Sequence, residues 1–148
     1  MTPHRSKRLA LPGIILLLLT TGHLVFGQTI KSPEVSITTI PHSGPGGGKP
    51  TEHIVGKVTG ISAAKFKDYK IVVYAYTDAW YVQPTADHPL TRIDTHGGIW
   101  ETETHLGSRY AAMLVKASYQ PAPKTTAIPN PESKEVVTIT TAEGKKAD

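Results

Sequence analysis

The chain predicts an all-β fold, a single antiparallel β-sandwich of six or seven strands, and three observations carry that expectation. After Gln28 no stretch keeps apolar residues at three- and four-residue spacing over roughly a dozen positions, which is what an amphipathic helix needs. Short runs rich in Val, Ile, Thr, Tyr and Trp recur instead, separated by Gly, Pro and Asp. Residues 28–148 are numerous enough to bury one ordinary core without staples. The arrangement expected is immunoglobulin-like, with a small closed barrel as the alternative.

The elements follow in order. Arg5, Lys7 and Arg8 precede an apolar run over 9–19, and Val25 and Gly27 then supply the two small positions that a signal peptidase seats, so residues 1–27 read as a secretory signal peptide. Pro12, Gly13, Gly22 and His23 interrupt the run, which falls short of the roughly 20 apolar residues of a spanning helix. No membrane span is expected after cleavage. With no Cys there is neither a lipid-modified cysteine nor a disulfide, and an exported chain of this kind is expected to be bacterial, periplasmic or secreted.

Charge removes one class of partner. The chain carries 16 Lys+Arg against 12 Asp+Glu, net +4 with pI near 9.3, but the excess sits in the leader, and residues 28–148 hold 13 basic and 12 acidic side chains. Nothing in that balance neutralises phosphates, so no nucleic-acid partner is expected.

In the expected domain, 28–148, Val35, Ile37 and Thr39 alternate with Glu34, Ser36 and Thr38 as a first strand that stops at Pro41. Residues 43–50 hold too much Gly and Pro to pair and read as a flexible loop. A second strand spans 53–61. The run 70–76, nearly all β-branched or aromatic, suits a central strand covered on both faces. A tight turn at 77–79 leads into Trp80, Tyr81 and Val82, and Thr91 to Ile93 suits a short edge piece. A turn around Gly97 and Gly98 opens a strand over 99–104, and 110–119 is a further apolar strand. Residues 120–133 form a loop carrying Pro121, Pro123, Pro129 and Pro131, 135–140 the last strand, and 142–148 a disordered tail.

The segments 71–84 (IVVYAYTDAWYVQP), 89–93 (PLTRI), 98–100 (GIW) and 105–115 (HLGSRYAAMLV) resemble small immunoglobulin-like β-sandwich modules of secreted bacterial proteins, found alone or beside carbohydrate-active and sensor domains. The resemblance covers roughly 55–115 and implies the fold rather than an activity. Where such modules usually place Asp-Gly before the second Trp, this chain has Thr95, His96, Gly97 and Gly98.

Two constellations bear on function. Trp80, Tyr81 and Trp100 are candidate stacking residues of an aromatic platform for a sugar ring or a partner side chain, with Gln83 and Asp78 as hydrogen-bonding neighbours. With one Phe after the leader, core filling competes for both Trp. Glu101, Glu103 and His105 share a strand face near His96 and Asp94, yet alternating charge is what any solvated face presents, so neither a metal site nor glycosidase carboxylates are expected. The glycines at 44 and 46–48 lack the Lys-Ser/Thr ending of a phosphate loop, and no nucleophile motif is present. The expectation is a non-catalytic module without cofactor that binds a surface glycan or another exported protein. The alternative is an assembly protein whose exposed strands pair with a neighbour, the Pro-rich connection letting the last strand be donated.

Overall fold

The computed structural model describes residues 31–129 and 133–147, and the expected signal peptide lies outside them. Within the described residues two antiparallel sheets stack as a β-sandwich and do not close into a barrel. The first sheet holds β1 (Glu34–Thr39), β2 (Thr51–Thr59) and β5 (Ile99–His105) in the order β1-β2-β5. The second holds β3 (Tyr69–Tyr76), β4 (Trp80–Gln83), β6 (Arg109–Lys116), β7 (Lys124–Thr125) and β8 (Val136–Glu143) in the order β7-β4-β3-β6-β8.

Alternation decides the layers. On β3, Ile71, Val73 and Ala75 point between the sheets, where they meet Val35, Ile54 and Trp100, while Val72 and Tyr74 point to the outer face. That outer face is also apolar. Met113, Val115 and Trp80 extend it, and Leu90, Tyr119 and Ile128 pack onto it. Residues of the Pro-rich connection therefore form a third layer, pinned where the Tyr74 hydroxyl donates to the Ala122 carbonyl at 2.8 Å. A central strand covered on both faces is what the unbroken apolar run of β3 demands.

Four details differ from the sequence expectation. The connection over 120–133 contains β7, whose two residues pair with Trp80 and Tyr81 and are too few to leave a pattern. A 3₁₀ turn, Ala63–Asp68, carries the buried Phe66 into the core and is likewise shorter than any periodicity. The piece at 91–93 is a single bridge between Thr91 and Ile71 rather than a strand. The chain end is held as far as Lys145: β8 runs to Glu143, Gly144 N–H donates to the Ser108 carbonyl, and Lys145 bridges to His42.

That last contact sets the shape of the sandwich. Along one side the Lys145 N–H donates to the Pro41 carbonyl at 2.9 Å and the Ser43 N–H to the Lys145 carbonyl at 2.7 Å, tying the two sheets together. Tyr110 reinforces the tie, its hydroxyl donating to the His42 carbonyl at 2.7 Å and accepting from Gly107 N–H at 3.0 Å. The opposite side, between β5 and β4, is left without a backbone tie among the described residues.

Candidate functional site

A cleft of about 710 Å³ opens on that untied side. Ala75, Tyr81 and Gln83 lie along its floor, because Tyr81 and Gln83 alternate with Trp80 and Val82 and so turn towards the inner face of the sheet. Asp78 reaches its rim from the turn in which Thr77 N–H donates to the Ala79 carbonyl. His105 and Leu106, at the end of β5, form one wall, and Pro123 with Lys124 closes the far end.

The glycine-rich loop is part of this wall. Gly44 N–H donates to the Gly107 carbonyl at 3.3 Å. Gly46 has φ +82, and a Cβ there would stand 2.6 Å from the Thr77 methyl. The loop approaches the cleft this closely because side chains are missing from it.

Each polar group at the floor is already committed. Gln83 Nε2 donates to the Tyr81 carbonyl at 3.1 Å, and its Oε1 accepts from the His105 N–H at 2.9 Å and faces His105 Nδ1 at 3.0 Å. Asp78 accepts from the Thr77 hydroxyl at 3.0 Å, the Tyr81 hydroxyl at 3.3 Å and Lys124 Nζ at 3.4 Å. The hydroxyls of Thr77 and Tyr81, foremost, hold its carboxyl down at about 2, so Asp78 is an anion at any physiological pH. The Lys124 ammonium stands 4.8 Å from the centre of the Tyr81 ring, and Tyr81 and Asp78 together raise its affinity for the proton.

Of the five residues singled out in the sequence, the cleft gathers Asp78, Tyr81 and Gln83, and the two Trp lie elsewhere. Trp100 is 1% exposed between the sheets, its indole lying against Gly56. Trp80 is 6% exposed on the outer face, packed on Tyr76 at 5.1 Å between ring centres under the Arg109 guanidinium. The rings face different cores and do not make one surface. The charged set is also dispersed. Glu101 pairs with His53 at 2.7 Å, Asp94 with His96 at 3.4 Å, and His105 turns to Gln83. Among the described residues no three His, Asp or Glu side chains converge on a point as a metal ion would require.

His105, Leu106, Lys124 and the glycine loop escaped the sequence reading as members of this site. The turn after residue 76 drew attention to Asp78, Tyr81 and Gln83, but a wall built by sequence-distant loops leaves no local pattern. No helix among the described residues is long and apolar enough to cross a membrane. The chain defines an antiparallel two-sheet sandwich open along one side. It matches no known family model and no curated protein sequence.

Proposed function

We infer that the chain is an exported, non-catalytic module of the immunoglobulin-like kind that its middle segment resembles, and that its cleft receives an extended segment of another extracytoplasmic protein. One observation carries the choice of a protein over a glycan. The single aromatic ring at the cleft floor, Tyr81, has its face under the Lys124 ammonium, and both indoles are buried, so no bare ring is offered to a sugar. The Tyr81 ring and the Asp78 carboxylate hold the chain's own Lys124, so a partner's basic side chain would be received there by displacing that ammonium.

The test uses protein recovered from outside the cytoplasm, whose mass should correspond to a chain beginning at Gln28. It is presented to immobilised exported proteins and, separately, to insoluble polysaccharides. Retention on a protein, lost in Tyr81→Ala with the circular dichroism unchanged, supports the reading. Retention on a polysaccharide that survives Tyr81→Ala overturns it. Donation of the last strand is disfavoured by its pairing along β6 from Arg109 to Val115 and by the tie at Lys145.

A further inference from the structure

The cleft continues into an unpaired strand edge. β5 is the outermost strand of its sheet, and its outer side can be read from two bonds. The Ile99 carbonyl accepts from Asp94 N–H at 2.7 Å, and the His105 N–H donates to Gln83 Oε1 at 2.9 Å. Both groups point away from β2. Antiparallel pairing alternates, so the backbone groups of Glu101 and Glu103 point the same way. Among the described residues nothing pairs with them there. Gln83 thus stands, at one position, where the carbonyl of a neighbouring strand would stand.

The solvent face of that edge has a definite chemistry. Ile99 is 40% exposed, the one large apolar side chain so exposed among the described residues. Glu101 and Glu103 follow on the same face, both exposed. Across β2 on this face, His53 stands opposite Glu103 with its Nδ1 2.7 Å from Glu101, and Lys57 stands opposite Ile99, which leaves no ammonium opposite either Glu101 or Glu103. Two β5 edges laid antiparallel would oppose Glu to Glu, which disfavours a second copy as the occupant.

We propose that β5 accepts, between the Asp94 bond at Ile99 and the Gln83 bond at His105, a short added strand from a partner whose extended segment carries basic residues opposite Glu101 and Glu103, and whose end enters the cleft in place of the Gln83 carboxamide. Main-chain bonds to Glu101 and Glu103 give the affinity, and the two carboxylates select for charge. This rests on the reading of the cleft as a protein-binding site and adds the partner's chemistry to it.

The experiment follows the amide protons of the full chain by hydrogen exchange while a blocked nonapeptide of alternating Lys and Val is added. The Glu101 and Glu103 amides are expected to exchange at least about tenfold more slowly. A Glu/Val peptide, and a Lys/Val peptide N-methylated at alternate amides, should give no slowing. The doubly reversed variant Glu101→Lys, Glu103→Lys should prefer the Glu/Val peptide, and both substitutions sit on exposed side chains that the fold does not need. Resonance shifts at Tyr81 and Leu106 without slowing at Glu101 and Glu103 overturn strand addition and leave the cleft reading standing. Slowing that grows with protein concentration in the absence of peptide overturns the basic partner in favour of a second copy. Indifference to every peptide overturns the inference, while the Tyr81→Ala comparison judges the cleft separately.

Discussion

Tyr74 is the side chain that fastens the third layer. Its ring is fully buried in the outer apolar cluster and its hydroxyl reaches the Ala122 carbonyl. Burial, with the Tyr119 phenol nearby, lifts its pKa from 10.0 to about 12. The unfolded chain, ionising at the lower value, releases its proton first, so stability is unaffected below pH 10 and declines between 10 and 12. The expected loss is roughly 2 kcal/mol by the upper limit. Urea unfolding at pH 9 and pH 11.5 should show a steeper decline for the natural chain than for Tyr74→Phe, and equal declines would refute the assignment. At this scale the sequence was readable wherever a turn fixed the register: Asp78, Tyr81 and Gln83 were found beside the turn at 77–79. Trp80 was not placed. Alternation tells which residues share a face, and only the distant Pro-rich connection determines that this face is covered.

The elements were legible in proportion to their length. β1 and β3 follow directly from alternation and from the dense β-branched run. β7 and the last turns of chain were not, because they are held by backbone bonds that any side chain permits. One feature spans two strands. Gly56 on β2 faces Trp100 on β5 in the pairing register, and a Cβ there would collide with the indole and with the Ser36 carbonyl of β1. The largest buried ring in the inter-sheet core thus needs a strand residue without a side chain. Gly56→Ala is expected to cost about 1–3 kcal/mol through overpacking, read as a lower denaturant midpoint at unchanged slope. A neutral result would mean that the indole has room to shift. The departure from Asp-Gly in the hairpin before Trp100 has a simple resolution: Gly98, at φ 71, supplies the left-handed residue, and its N–H closes on the Asp94 carbonyl at 3.0 Å.

Among the described residues the two sheets are fastened by backbone bonds along one side, while along the other the Gln83 side chain reaches His105 without a backbone tie. Removing residues 144–148 would delete the bonds of Gly144 and Lys145 to Ser108, Pro41 and Ser43 while leaving the β6–β8 ladder complete. The shortened chain is expected to fold, to lose about 1–3 kcal/mol, and to show faster amide exchange at Ser43. Exchange at Ser43 unchanged from the full chain would show that Lys145 does not hold the two sheets together. None of this closure was visible beforehand, since Gly144, Lys145 and Lys146 have the composition of a frayed end.

The separation of the two Trp residues gives the protein an internal pair of optical reporters. Trp100 lies in the core shared by both sheets, and Trp80 under the Pro-rich covering, beside a guanidinium. Each indole therefore emits from a different compartment. Single-Trp versions of the chain would register the peeling away of the outer covering and the parting of the sheets as two distinct signals, whose coincidence or separation under denaturant tells whether the three layers melt as one cooperative unit.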